Sequence, residues 1–222
     1  MSELAKFFTA TGRSSRYHKN EIIIRGDDEN PDIFYVAEGF IKVYSINDDG
    51  EEYVHIIYGV GDVFPLIWAF KDRRRRVFYE SLSASVLWRM PRTEFLEYVK
   101  ANSSPVIYGL LAQMAEQFNV YADRLDNLQY RDASERVVYR LLFLAGRFGQ
   151  KTKDGVVIDA PITHKLLAQS INLTRESVSR EIEQLTKAGL VDTQDGHIVI
   201  KDINKLSESF SEPVSLNLWD LQ

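Results

Sequence analysis

Apolar and polar residues alternate in short runs between residues 21 and 90. The runs read IIIRG, IFYVAEG, FIKVYSI, EYVHIIYG and VLWRM, and turn-forming clusters such as DDENP and NDDG separate them. Runs of this length that are rich in β-branched and aromatic residues are typical of strands in a small barrel or sandwich. The first part of the chain is therefore predicted to form such a β-domain.

Glycines adjoin these predicted strands at Gly26, Gly39, Gly50 and Gly61. A tight turn often needs a residue with positive φ, which glycine adopts without strain. We expect all four glycines to form corners between strands. The Asp49-Gly50 pair also predicts a two-residue hairpin turn in which both residues have positive φ.

A different periodicity begins after residue 103 and continues to about residue 130. Apolar residues recur there at alternating spacings of four and three, which is the a/d pattern of a coiled coil. The positions are Ile107, Leu111, Met114, Phe118, Tyr121, Leu125 and Leu128. We expect this narrow stripe to pair with a second copy of the chain. A helix that packs its apolar face on its own core is the alternative interpretation.

From residue 132 onward, the pattern predicts a helix, a strand, two further helices and a hairpin. The segment ASERVVYRLLFLAGRFG places Val137, Leu141 and Leu144 on one helical face, and the strand VVIDAP follows the polar loop QKTKDG. The segment THKLLAQSINLTRESVSREIEQLTKAGLV is typical of two helices joined by a tight turn, and Asp195-Gly196 predicts a hairpin turn. This order of elements predicts a winged helix-turn-helix.

The second helix of this pair carries the candidate DNA-reading residues. Val178, Ile182 and Leu185 share the face that packs on the preceding helix, and the opposite face is polar. Arginine can form two hydrogen bonds to guanine, and glutamate accepts one from cytosine. The candidate DNA-binding residues are Thr174, which is also a good N-cap, Arg175, Glu176, Ser177, Ser179 and Arg180. In the alternative interpretation, Glu176 and Arg180 form an ion pair on the solvent face of an ordinary helix.

Composition limits the chemistry that this chain can perform. It contains no cysteine, which excludes disulfides, thiolate catalysis, cysteine-bound zinc and iron–sulfur clusters. The histidines, His18, His55, His164 and His197, lie far apart and form no metal-binding motif, so we expect no metal site and no cofactor. A cupin-like enzyme would need clustered histidines in the strand-rich core, where only His55 lies.

Charge and hydropathy add two further expectations. The net charge is −5 and the pI is near 5.5, so any DNA contact must be local rather than the result of overall attraction. Thr163, Lys165, Lys187 and Lys201 are secondary candidates for phosphate contacts. The longest apolar stretches, 63–70 and 141–145, are shorter than the roughly 18–20 residues of a membrane span, and the N-terminus lacks a signal-peptide pattern. We therefore expect a cytoplasmic protein.

The glycine-framed strands, the zipper-like helix and the winged helix-turn-helix together resemble the CRP/FNR family of bacterial transcription regulators. The resemblance rests on IIIRGDD, YVAEGFIKVY, DDGEEY and GVGDVF in the β-region and on TRESVSR in the second helix of the pair. Arg175, Glu176 and Arg180 match the Arg-Glu-x-x-x-Arg motif of the cyclic-AMP receptor branch. Glu176, Ser179 and Arg180 also match the Glu-x-x-Ser-Arg motif of the oxygen-sensor branch.

This resemblance implies an α+β fold with three parts. Residues 1–101 would form a double-stranded β-helix, or jelly-roll, that acts as the sensor domain. Residues 102–131 would form the dimerisation helix, and residues 132–222 the winged helix-turn-helix domain. The resemblance further implies a homodimer that reads an inverted repeat in double-stranded DNA, RNA polymerase as a further partner, and no enzymatic activity. A sensor of the same fold without DNA binding is the alternative.

The segment that binds cyclic nucleotides in this family is altered here. Members that bind them have a Phe-Gly-Glu-Leu segment followed downstream by Arg-Ser or Arg-Thr, whereas this chain has Phe64-Pro65-Leu66-Ile67 and then Arg76-Val77. The resemblance thus places Leu66 where a glutamate would accept from the ribose, and Pro65 lacks a backbone donor. We therefore expect an effector other than cyclic AMP, or none.

Residues 71–76 form the most basic run of the chain, KDRRRR. Such a run is commonly a solvated loop, but clustered guanidinium groups also suit phosphate or carboxylate ligands. Arg74, Arg75 and Arg76 are therefore the candidate anion contacts for an unidentified effector. The surrounding aromatic residues would line or fill a pocket: Trp68, Phe70, Phe78, Tyr79 and Trp88.

Overall fold

The computed structural model describes residues 2–28, 32–71, 76–101, 104–130 and 132–209 of the 222-residue chain. These residues form two compact units that are divided between Tyr121 and Ala122. Arg74, Arg75 and the segment 210–222 lie outside the described residues. In the ranges given above, no helix is both long enough and apolar enough to cross a membrane.

The first unit contains two four-stranded antiparallel sheets. Its strands are β1 (Arg13–Tyr17), β2 (Ile22–Ile24), β3 (Ile33–Glu38), β4 (Ile41–Ile46), β5 (Glu52–Tyr58), β6 (Val63–Phe64), β7 (Phe78–Ser81) and β8 (Ser85–Met90). They are ordered β1-β8-β3-β6 and β2-β7-β4-β5. The ring of Phe64 in the first sheet stacks on Tyr58 and Tyr79 of the second, at centroid distances of 5.2 and 5.1 Å. This aromatic contact joins the inner faces of the two sheets, as expected for a jelly-roll.

Helices close one side of these sheets. They are α1 (Glu3–Thr11), α2 (Leu66–Lys71), α3 (Arg92–Ala101) and α4 (Ser104–Gln129), and α4 crosses the division between the units. One apolar cluster joins all four, and its members include Phe8, Leu66, Phe95 and Leu110. Helix α4 is predicted from the sequence, but the three shorter helices are not, because their apolar residues form a recognisable pattern only when the elements they pack against are known.

Two of the predicted turns differ from the expectation. Gly39, Gly50 and Gly61 have positive φ as predicted, but Gly26 does not. There is little room for a side chain at Gly26 for another reason, since a Cβ there would lie 3.1 Å from the Cα of Arg76. The prediction of a two-residue Asp49-Gly50 turn is also wrong in detail. Only Gly50 has positive φ, and hydrogen bonds from Gly50 to Asn47 and from Asn47 to Glu51 close a three-residue loop.

The second unit is a winged helix-turn-helix domain. After the end of α4 it contains α5 (Ala133–Phe148), β9 (Gly149–Thr152), β10 (Gly155–Ile158), α6 (His164–Ile171), α7 (Arg175–Lys187), β11 (Val191–Gln194), β12 (His197–Ile200) and α8 (Ile203–Glu208). Its sheet has the antiparallel order β11-β12-β10-β9. Asp195 and Gly196 both have positive φ, so the predicted β11–β12 hairpin turn is confirmed.

One element of this unit was predicted wrongly. The segment beginning at Gln150 was expected to be a polar loop, but β9 occupies Gly149–Thr152 and pairs with β10. As the outermost strand of its sheet, β9 exposes Gln150, Lys151 and Thr152, and so carries no alternating hydrophobic pattern.

Candidate nucleic-acid interface and effector pocket

The helix-turn-helix has a defined start for each helix and a tight turn between them. Thr163 accepts from the backbone N–H of Leu166 at 3.1 Å and caps α6. Thr174 accepts from the N–H of Ser177 at 3.1 Å and caps α7. Asn172 ends α6 in the left-handed conformation, with φ 55° and ψ 48°. A left-handed C-cap ends a helix sharply, so α7 can begin three residues later.

The two sides of α7 have opposite character. Val178, Ile182 and Leu185 are buried, whereas Arg175, Glu176 and Arg180 are exposed, as the sequence predicts. Within the described part of the chain, the side chains of these three charged residues make no hydrogen bond and no ion pair. The alternative Glu176–Arg180 pair is therefore not formed there, and the charged groups face solvent.

The hydroxyl groups of α7 do have partners. Thr174 Oγ1 donates to Ser177 Oγ at 3.0 Å, in addition to accepting the cap bond. Ser179 Oγ lies 2.9 Å from Nδ1 of His164, the first residue of α6. Ser177 and Ser179 were predicted as site residues from the sequence, but His164 was not, since no spacing rule shows that this histidine and Ser179 meet across the turn.

Most of the secondary phosphate candidates are engaged within the protein. Lys187 Nζ lies 2.7 Å from Glu183, and this hydrogen bond lowers the pKa of the Glu183 carboxyl. Lys201 Nζ lies 2.9 Å from Asp192 and likewise lowers the pKa of that carboxyl. Thr163 is the cap of α6. Lys165 is exposed and has no ion pair with another described residue.

The coiled-coil stripe of α4 lies largely on the surface of the single chain. The exposed fractions of Ile107, Leu111, Met114, Phe118 and Leu125 are 42, 58, 40, 73 and 66%. Tyr121 and Leu128 are half-buried. The helix contributes a different face to its own core, through Val106, Leu110 and Val120, which are 1–5% exposed. Packing on the core of the same chain therefore does not account for the stripe.

Two glutamines attach α4 to strand β6. Gln113 accepts from the N–H of Val63 at 3.0 Å and donates to the carbonyl of Gly61 at 2.8 Å. Gln117, one turn further along, donates to the carbonyl of Val63 at 3.2 Å. Strand β6 is the edge of its sheet, so these amides occupy backbone groups that a neighbouring strand would otherwise bind.

A cavity lies beside this attachment, between the β2-β7-β4-β5 sheet and helices α2 and α4. It has a volume of about 60 Å³, room for a few water molecules. Its lining is mainly apolar and aromatic and includes Leu66, Trp68, Tyr58, Tyr79, Gln117 and Tyr121. Leu66, which stands at the position of the ribose-binding glutamate, is 2% exposed and belongs to the apolar core. A nucleotide-sized ligand would fit only if side chains moved.

Of the three predicted anion contacts, the structure describes only Arg76, which does not line this cavity. Arg76 is exposed and is not among the residues that line the cavity. Arg74 and Arg75 lie outside the described residues. Among the residues that the structure does describe, no cluster of three or more histidine, aspartate or glutamate side chains is arranged to hold a metal ion.

Within the second unit, the end of α4 is bonded to α5. Tyr139 donates its hydroxyl hydrogen to Asp123 at 3.1 Å, and burial raises the pKa of the Asp123 carboxyl. Asn127 donates to the carbonyl of Arg136 at 2.9 Å, and Arg136 donates to the carbonyl of Tyr130 at 2.7 Å. These bonds fix the direction in which α5 leaves α4.

Two family models match the chain. A cyclic nucleotide-binding domain matches residues 14–102, and a Crp-like helix-turn-helix domain matches residues 135–209. The chain belongs to the CRP/FNR family of transcription regulators. Members of this family are DNA-binding regulators rather than enzymes. The prediction that this chain is a DNA-binding transcription regulator is confirmed.

Several CRP/FNR relatives match over most of their length. The global nitrogen regulator of Synechococcus elongatus is 23% identical over 198 residues, which are 88% of this chain and 89% of that protein. The cAMP-activated global transcriptional regulator CRP of Escherichia coli is 23% identical over 187 residues, 83% and 88% of the two chains. The structure of FixK2 from Bradyrhizobium japonicum has a TM-score of 0.75 at 24% identity, with 89% and 96% of the chains covered. This structural similarity confirms the predicted fold.

We expect the cap of α7 to contribute measurably to the stability of the second unit. Thr174→Ala removes the acceptor for the Ser177 N–H and should lower the free energy of unfolding by about 0.5–2 kcal/mol. Thr174→Ser keeps the hydroxyl and serves as the control. Urea denaturation would measure both variants, and hydrogen exchange at the Ser177 amide would locate the effect. Equal stability of the alanine and serine variants would contradict the role of the cap.

Proposed function

We propose that this CRP/FNR regulator acts as a homodimer and reads an inverted repeat with the exposed side of α7. The unpaired, solvent-facing Arg175, Glu176 and Arg180 carry this proposal, because they leave their hydrogen-bonding groups available to base edges in a major groove. Two α7 helices related by a two-fold axis would enter successive major grooves about 34–36 Å apart. The cytoplasm is the compartment in which such a protein meets its operator.

The exposed stripe of α4 supports dimerisation. Single apolar residues are common on protein surfaces, but a continuous row at a/d spacing along one helix is typical of a coiled-coil partner. The helix shows it over seven positions, and its separate buried face already completes the core of the first unit. A second α4 supplies the matching surface.

The cavity of the first unit supports an effector other than cyclic AMP, or activity that needs none. Leu66 and Pro65 replace groups that would hydrogen-bond the nucleotide, and the aromatic stack of Tyr58, Phe64 and Tyr79 fills the space between the sheets. A polar ligand left without those partners loses about 1–3 kcal/mol for each group. The lining is mostly apolar and aromatic but also includes Arg25 and Asp28, and it lacks the hydrogen-bonding groups that a cyclic nucleotide would need at Leu66 and Pro65.

Gln117 would couple an effector to the dimer. It lines the cavity and also donates to Val63, immediately before the segment that binds ligand in nucleotide-binding members. A ligand that displaced this hydrogen bond would change how α4 is held against β6. A change in the angle between the paired α4 helices would then move the two α7 helices relative to their half-sites. RNA polymerase is the expected partner if the bound dimer activates transcription.

The DNA-reading role of α7 is tested by Arg180→Ala. If Arg180 contacts a base edge, this change should weaken specific binding by about 1–3 kcal/mol, roughly 5- to 150-fold in dissociation constant. Fluorescence anisotropy on an operator selected from a random DNA pool would measure it. Lys205→Ala, which removes an exposed charge from α8, is the control and should bind normally. Unchanged operator affinity in Arg180→Ala would refute the assignment.

The dimer prediction has a matched pair of variants on one helix. Phe118 lies in the stripe and is 73% exposed, whereas Tyr108 lies outside it and is 75% exposed. Phe118→Asp places a charge in the proposed interface and should produce a monomer, whereas Tyr108→Asp should leave the dimer intact. Sedimentation equilibrium at micromolar concentration reports both. A monomeric wild-type protein, or equal dissociation in the two variants, would show that α4 is not the interface.

Calorimetric titration with cyclic AMP tests the altered cassette. We expect no saturable heat, because two polar groups of the ligand lack partners at Leu66 and Pro65. The cAMP-activated regulator CRP of Escherichia coli is the positive control. Saturable binding of one nucleotide per chain would overturn the prediction. Selection of DNA with and without cell extract would show separately whether any effector is needed.

A further inference from the structure

The contact between His164 and Ser179 links the two helices of the DNA-binding motif. Ser179 Oγ is 2.9 Å from His164 Nδ1, and both residues are half-buried. Ser179 lies four residues after Arg175 and three after Glu176, which places it on the same polar side of α7. The hydroxyl therefore stands between the packed interior of the motif and the side that faces DNA.

Two other hydroxyl groups in these helices show where a serine or threonine hydrogen commonly goes. Ser170 donates to the carbonyl of Leu167 at 2.7 Å, and Thr186 donates to the carbonyl of Ile182 at 2.8 Å. Such bonds to the preceding turn are the usual local choice for serine and threonine in a helix. Ser179 makes no bond of this kind within the described chain, and its partner there is the His164 ring nitrogen.

This partner determines what Ser179 can offer to a base. A free hydroxyl both donates and accepts, so it tolerates any polar base edge. The contact allows two directions. If Nδ1 carries the ring hydrogen, Ser179 accepts from it and keeps its own hydrogen to donate, whereas if Nδ1 carries none, Ser179 donates its only hydrogen to the ring and can then only accept from a third group. In the major groove, the groups that donate are the amino groups of adenine and cytosine.

We propose that His164 is a specificity-determining residue that makes Ser179 a pure acceptor, so that Ser179 selects adenine or cytosine at one operator position. The inference rests on the proposed DNA-reading role of α7. His164 acts through Ser179 and is therefore a positioning residue. A merely structural role would instead weaken binding to all sequences equally.

The test begins by locating the base position. Binding of the full-length protein to a library randomised across the selected operator is compared with that of Ser179→Ala. The position at which the base profile changes is the one under Ser179. In the wild type, adenine and cytosine should be preferred there over guanine and thymine by about 2- to 12-fold, the range of one net hydrogen bond.

Substitutions of His164 then distinguish the effect of its hydrogen-bond acceptor from the effect of its packing in the motif. His164→Phe keeps a ring but removes the acceptor, so the preference at this position should fall to near unity while the other positions keep theirs. His164→Asn, whose side-chain oxygen can accept the same hydrogen bond, should restore the preference. In the Ser179→Ala background, His164→Phe should cause no further change in the profile. Thermal denaturation of each variant checks that the domain remains folded.

The outcomes distinguish this inference from the proposed function. If Arg180→Ala abolishes specific binding but Ser179→Ala alters no position, or His164→Phe leaves the profile unchanged, the role of His164 is wrong and α7 remains the reader. A wild-type preference for guanine or thymine under Ser179 would also overturn the acceptor assignment. If Arg180→Ala leaves operator binding unchanged, the DNA-reading role of α7 itself fails.

Discussion

Helix α4 packs on its own β-domain with one face and presents an apolar stripe on another. The other features of the structure depend on this separation of the two faces. Val106, Leu110 and Val120 are buried, and Gln113 and Gln117 occupy backbone groups at the edge of β6. Leu111, Phe118 and Leu125 remain 58–73% exposed. An edge strand with unoccupied backbone groups invites pairing with other chains. The glutamine contacts therefore block one mode of association, while the stripe favours another.

In the proposed dimer, these two faces of α4 would let the cavity and the interface influence each other. Gln117 lines the cavity, and Phe118, the next residue, lies in the stripe. A rotation or shift of α4 that changes the first contact must also move the second, because helix backbones are stiff over one turn. At its far end, Asp123 and Asn127 bond α4 to α5, so the direction of α5 follows that of α4. In the proposed function, an effector in the cavity would act on the DNA-binding domain through this one helix and a few polar contacts.

The sequence predicted those parts of the fold that are governed by local periodicity. The stripe of α4, the two faces of α7 and the Asp195-Gly196 turn follow from spacing rules that need no knowledge of tertiary contacts. The strand β9 was missed because an edge strand with polar residues has no alternating pattern. Gly26 was misinterpreted because its role is a close approach to Arg76, a residue fifty positions away in sequence.

Some residues of the candidate site could likewise be predicted from the sequence, and others could not. Arg175, Glu176 and Arg180 could be identified from residue type and helical position alone. The pairing of His164 with Ser179 could not, since it depends on how α6 and α7 cross. For the same reason, the sequence could indicate that the nucleotide cassette is altered at Leu66, but not that this side chain joins the apolar core.

The charge of the chain bears on the proposed dimer, because it limits how tightly a single domain would hold DNA. The chain carries a net charge of −5, so it lacks the general attraction to phosphates that usually supplies non-specific binding. Lys187 and Lys201 are engaged with Glu183 and Asp192, which further reduces the free positive charge beside α7. One domain therefore has few contacts with which to hold a half-site. When two domains are joined through α4, the second half-site is bound at high effective concentration, and weak individual contacts add up to a stable complex. In the proposed dimer, the apolar stripe would thus provide affinity for DNA that the electrostatics of this chain do not.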